Sequence, residues 1–199
     1  MLVRDARLED TPALAGMVRA EAEHQLKAGA GFRMAQNADW AAYVSQRLQR
    51  PHGVILVAEL NCELVGFVDL RIAGKGRLAA TSNEGVLRRL LRGWRRKATA
   101  DQAALVEPSS AGVIDDIYVV PECRHRGIAT GLLRRGVAWL EDRQVSEIEA
   151  AIWAGNEASL AFFNKAGFET ARILVRRKAA VRSSIATAEG RRNQIGKGT

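Results

Sequence analysis

Cysteine is nearly absent from this chain. Cys62 and Cys123 are its only two, far apart and without a C-x-x-C pair. That excludes a disulfide framework and a cysteine zinc site, and it makes a reducing cytoplasm the expectation. Histidine is as scarce: His24, His52 and His125 are too scattered to form a ligand set, so no metal is expected. No apolar run approaches the ~20 residues of a membrane span. The N-terminus, Met1-Leu2-Val3-Arg4-Asp5, lacks the apolar core of a signal peptide. Tyrosine is limited to Tyr43 and Tyr118, which narrows the choice wherever a phenol proton is needed.

What is present suits one domain with a real core: 199 residues, 47% of them hydrophobic. The formal charge of +8 invites a nucleic-acid reading. Much of the excess lies in two places, Arg88 to Lys97 and Arg172 to Lys197. Between Val86 and Lys97, apolar Val86, Leu87, Leu90, Leu91 and Trp94 share a helical face and arginines crowd the rest. Three readings stand: a docked helix with a solvated basic face, a lid, or a surface for nucleic acid or anionic membrane. No aromatic interleaving supports base stacking, so nucleic acid stays open but not favoured.

The densest information lies between Val113 and Leu133. Val113, Ile114, Ile117, Val119 and Val120 form an apolar, β-branched run interrupted by Asp115, Asp116 and Tyr118. This predicts a strand, ended by Pro121, which has no N–H for a sheet ladder. Arg124-His125-Arg126-Gly127-Ile128-Ala129 then leads through Thr130 into a helical pattern. A strand feeding a helix through a basic, glycine-bearing turn leaves unpaired N–H groups at the helix start, a natural seat for phosphate.

Elsewhere, Leu2 to Leu8 predicts an opening strand. Asp10 or Thr11, with Pro12, starts a helix carrying Leu14, Met17, Val18 and Ala22. Asn37 or Asp39 caps a second helix through Trp40, Tyr43, Val44 and Leu48, its aromatics read as core-facing. Val54–Leu60 and Leu64–Leu70 read as a hairpin across Asn61-Cys62-Glu63. A third helix buries Ile128, Leu132, Leu133, Val137 and Leu140. Glu147–Trp153 predicts a fifth strand, Glu157–Ala166 a last helix stopped by Gly167, and Phe168–Val175 a returning strand. From 179 to 199 the composition turns basic and polar, a tail expected to be disordered or to add one last strand.

Arg124-x-x-Gly127-x-Ala129 resembles the R/Q-x-x-G-x-G/A signature of the GNAT acetyltransferases, and Asp115 to Glu122 resembles their fourth strand. Asn156 to Phe168 is similar to the family's N-x-x-A-x-x-x-Y-x-K-x-G-F stretch, with the alanine spaced differently. The resemblance implies an α/β (α+β) domain over residues 1–178, with a helical insertion at about 74–112. Its mixed central sheet would have six or seven strands, flanked by helices and splayed at the fourth and fifth. It implies acetyl-CoA as co-substrate and an amine-bearing acceptor, small molecule or protein, with a homodimer left open. It sets Ile117, Tyr118 and Val119 against the pantetheine through backbone groups. Arg124, His125, Arg126, Gly127, Ile128, Ala129 and Thr130 would surround the pyrophosphate, and Asn156 would stand near the pantetheine arm.

Direct acetyl transfer to an amine needs a route for the amine proton and a proton for the leaving thiolate. Strand alternation sends Asp115 and Asp116 to opposite faces. Asp115 stands nine positions before Arg124, where several small-molecule acetyltransferases of the family carry a catalytic carboxylate. It is the first choice for base, Asp116 the second, and a carboxylate merely bonded to a neighbour the bland alternative. For the acid the match fails. The position seven after Asn156, often a tyrosine that protonates the CoA sulfur, is Phe163. Tyr118, Tyr43 or solvent would have to serve. The missing phenol also admits another class of function: an acyl-CoA-binding regulator or scaffold with little catalysis.

Overall fold

The computed structural model describes residues 1–73, 110–171 and 173–175. By contacts the chain divides into Met1–Gly167 and Phe168–Thr199. The basic stretch from Arg88 to Lys97 and the tail from 179 lie outside the described residues.

The first unit is built on a five-stranded sheet in the order β1-β2-β3-β4-β5. Its strands are β1 (Leu2–Asp5), β2 (Gly53–Leu60), β3 (Glu63–Ala73), β4 (Ala111–Val119) and β5 (Glu147–Ala150). The first four run antiparallel to their neighbours, and β5 lies parallel to β4. The β2–β3 hairpin turns on Asn61 and Cys62, both at positive φ (52° and 65°), the backbone that matches the twist of paired strands.

Helices α1 (Thr11–Lys27) and α2 (Trp40–Leu48) cover one face. Leu14, Met17, Val18 and Val44 meet Ile55, Val57, Phe67 and Tyr118 there, with Trp40 and Tyr43 packed at the margin. Each helix starts on an aspartate. The Asp39 carboxylate accepts from the Ala42 N–H at 2.9 Å. Asp10 instead turns to Arg4 (2.7 and 3.0 Å) and the Arg7 N–H (2.7 Å), tying the end of β1 to the start of α1. Helix α3 (Ile128–Glu141) packs on the opposite face, where Leu140 lies against Gly112 and Leu70 against Gly136. Helix α4 (Glu157–Lys165) follows β5 and begins on Asn156, whose side chain accepts from the Ser159 N–H at 3.1 Å.

Three expectations are corrected. Six or seven strands were expected, and five are found among the described residues. Strand β5 ends at Ala150 rather than Trp153, and 168–171 and 173–175 form no strand. Alternating apolar residues license a strand only where an edge with the right register receives them.

Candidate active site

Strands β4 and β5 pair over four residues only, from Ala111↔Glu147 to Ile114↔Ala150. Beyond that point they part, which is the expected splay. A cleft opens there, walled by Ile114 to Ile117 on one side and Ala150 to Trp153 on the other. Glu21 and Gln25 of α1 line it, as do Asn156, Ser159 and Phe163 at the start and along the inner face of α4. The approach of α4 to α1 is close: a Cβ on Gly155 would run into the backbone carbonyl of Ala28. Glycine is therefore required just before the Asn156 cap, because backbone meets backbone.

A bulge decides where the aspartates of β4 point. Asp69 pairs with Asp116 but Leu70 pairs with Ile114, leaving Asp115 as the extra residue. Strict alternation, which placed Asp115 and Asp116 on opposite faces, fails here, and both carboxylates turn toward α1 and α2. Asp115 is enclosed by guanidinium groups: Arg47 and Arg50 reach it at 2.9 Å, and Arg71 at 2.9 and 3.1 Å. Arg47 and Arg50 also pair with buried Asp69, and Arg47 donates to the Tyr43 hydroxyl. The first-choice base is thus the centre of a buried ion network, with its lone pairs taken by three cations.

Asp116 stands at the edge of that network. Arg47 comes only to 3.9 Å, and among the described residues its carboxyl accepts one hydrogen bond, from Gln25 Nε2 at 3.2 Å. Burial, with the nearby Asp69, Asp115 and Glu21 charges, pushes it up to about 8. Glu21, buried on α1, shares the same donor: Gln25 Nε2 lies 3.1 Å from Glu21 Oε1. Burial lifts it to about 7, tempered by Gln25 and by the charge of Arg124. Two carboxyls that titrate near neutrality therefore line one cleft, bridged by one amide.

The turn before α3 has the predicted character. Gly127 is the N-cap residue at φ 76°, with no side-chain cap, and His125 also lies at positive φ (60°). The Gly131 N–H donates to Gly127 O at 2.9 Å. The N–H groups of Ile128, Ala129 and Thr130 in the first turn precede the helical ladder. His125, Arg126 and Thr130 are exposed. Arg124 points elsewhere: its Nε donates to Val119 O at 3.0 Å and its guanidinium lies over the Tyr118 ring at 5.6 Å. Backbone amides, not that side chain, are what the turn offers an anion.

Ile117, Tyr118 and Val119 lie on the part of β4 that β5 leaves unpaired, held on the other edge by Val68, Phe67 and Gly66. Phe163 is buried on the cleft wall, edge-on to Phe162 with ring centroids 5.2 Å apart. Neither tyrosine joins it. Tyr43 sits with Arg47, Tyr118 packs on Phe67, and burial raises both phenols. The hydroxyl on the cleft wall belongs to Ser159. Among the described residues no group of three His, Cys, Asp or Glu could hold a metal, and no helix is long and apolar enough to cross a membrane.

Sequence reasoning missed Glu21, Gln25 and Arg47. Glu21 did carry a signal: it falls four after Met17 and three after Val18, a charge inside an apolar stripe.

A model of the acetyltransferase (GNAT) family matches residues 20–168. No curated protein sequence matches the chain. Among solved structures, a protein from Bacillus halodurans superposes with a TM-score of 0.68 at 16% identity, over 90% of this chain and 100% of that one. An aminoglycoside N-acetyltransferase in complex with CoA gives 0.62 at 18% identity, over 89% and 93%. A ribosomal-protein-alanine N-acetyltransferase from Brucella melitensis gives 0.59 at 17%, over 90% and 100%. At these identities the likeness is one of fold.

Proposed function

The chain belongs to the acetyltransferase (GNAT) family, and from that premise we propose that it transfers an acetyl group from acetyl-CoA directly to a primary amine of a small molecule or protein. The observation that carries this reading is the splay of β4 from β5, with α3 starting on a left-handed glycine beside it. The residues present fit acetyl-CoA. The first-turn amides of α3, which precede the helical ladder, and the exposed His125 and Arg126 suit its phosphates. The edge of β4 at Ile117 to Val119 offers strand-like hydrogen bonds to the pantetheine amides. Asn156 is buried, and its carboxamide oxygen caps α4, so it holds the wall against which the pantetheine arm lies.

The proton-handling carboxyl passes from Asp115 to Asp116. Both line the cleft, but Asp115 is engaged by three arginines and orders the network, whereas Asp116, among the described residues, takes a hydrogen bond from the neutral Gln25 amide. Ile114, Ile117, Ile152 and Phe163 give the same cleft apolar walls beside these carboxyls.

An amine panel with acetyl-CoA tests the proposal: polyamines, an aminoglycoside, free amino acids and a peptide with N-terminal alanine, followed by release of the CoA thiol. Thiol release with formation of the acetylated amine supports transfer. Acetyl-CoA binding without turnover of any amine would instead favour an acyl-CoA-responsive regulator.

A further inference from the structure

We propose that Glu21 and Asp116 act as one catalytic pair holding a single proton, Glu21 accepting the amine proton and Asp116 protonating the departing thiolate. This rests on the transfer reading above and assigns the proton donor that Phe163 cannot be.

The geometry is specific. Both carboxyls line the cleft, and Gln25 Nε2 reaches both, at 3.1 Å and 3.2 Å. An amide nitrogen has two hydrogens, one for each carboxyl, so Gln25 holds them together without choosing between them. The surrounding charges make the choice. Asp116 faces the carboxylates of Asp69 and Asp115 from the sheet and Glu21 from α1, against Arg47 of α2 at 3.9 Å. Glu21 faces Gln25 on its own helix and the cationic field of Arg124. The other residues lining the cleft from β5 and α4 carry no charge. The shared proton therefore rests on Asp116, and the negative charge on Glu21.

In the reaction the amine nitrogen forms its bond to the thioester carbon, and the carbon–sulfur bond breaks. The proton lost by nitrogen goes to Glu21, and the thiolate takes the proton of Asp116. The pair gives one proton and gains one, so its charge is unchanged. Exchange with solvent returns the proton from Glu21 to Asp116 before the next turnover.

Carbon-13 NMR of the side-chain carboxyls, on the full chain without ligand, reads the pair directly. Expected are two coupled steps between about pH 6 and 9, with Glu21 ionised and Asp116 protonated at pH 7.5. In Glu21→Gln, Asp116 should titrate in one step at lower pH. Two independent titrations complete below pH 6 would overturn the proposal.

Kinetics with an amine turned over in the panel read the roles. Wild-type kcat/KM should be bell-shaped in pH, and Glu21→Gln should lose the limb that falls toward acid. Each of Glu21→Gln and Asp116→Asn should lower turnover on the order of 10²-fold or more. Phe163→Tyr places a donor in the same cleft, on α4, and should recover about tenfold in Asp116→Asn but nothing in Glu21→Gln. A wild-type rate that only rises with pH, or equal rescue of both variants, would refute the pairing while leaving acetyl transfer in place. Failure of every amine in the panel would refute the transfer reading itself.

Discussion

Gly127→Val separates the fold's need for glycine from the ligand's. At φ 76° and ψ 4° a side chain suffers backbone strain, yet among the described residues nothing lies within 4 Å of where a Cβ would stand. The loss in the free protein is thus the left-handed penalty alone, about 1–2 kcal/mol. For a chain of this size that lowers Tm by about 2–8 °C, and it leaves a folded protein. The open space is where an anion would approach the first-turn amides of α3. Two methyl groups there would displace at least one hydrogen bond to a charged oxygen, worth about 1.5–3 kcal/mol. Acetyl-CoA affinity should fall about 10- to 150-fold, measured by calorimetric titration. Gly127→Asn is the control, since asparagine tolerates left-handed backbone. It should regain most of the Tm and keep most of the affinity loss. A Gly127→Val protein with lowered Tm and unchanged acetyl-CoA affinity would refute the phosphate-turn assignment.

Asp115→Asn should act on stability first. Removing the buried partner of three arginines costs about 3–5 kcal/mol, read by chemical denaturation, and a protein as stable as wild type would show that the network contributes little. Stability should also depend on pH through Glu21 and Asp116. Both are raised in the folded state, so the native chain binds more protons than the unfolded one between about pH 4 and 8. Their favourable term is full below about pH 4 and is lost as pH rises through 7 and 8. Asp116→Asn should accordingly flatten the Tm profile between pH 6 and 9, and an unchanged profile would refute the assignment of its titration. Gly155→Ala should destabilise by about 1–3 kcal/mol, because a Cβ meets the Ala28 carbonyl, and it should weaken acetyl-CoA binding by displacing the Asn156 cap. Equal affinity and stability would place that loop away from the cleft.

The sequence by itself determined the pieces that local chemistry controls. The β-branched run before Pro121 could only be a strand end, and Gly127 opens α3 because the turn needs φ 76° there. Of the two caps offered for α2, Asn37 and Asp39, it is Asp39 whose side-chain oxygen takes the Ala42 N–H. Even the splay followed from the resemblance of the two motif stretches. Tertiary structure decided which charges meet. The single-residue bulge at Asp115 turns two adjacent carboxylates to one side of the sheet, and no period of two foresees it. Arg47, Arg50 and Arg71 converge on Asp115 across separations of 68, 65 and 44 residues. Gln25 reaches Asp116 across 91. Propensity and capping act over one turn or one hairpin, so they place a residue on an element and say nothing of its partner. The partner is chosen when α1 and α2 settle on the sheet, and burial there shifts the carboxyls on which the proposed chemistry depends.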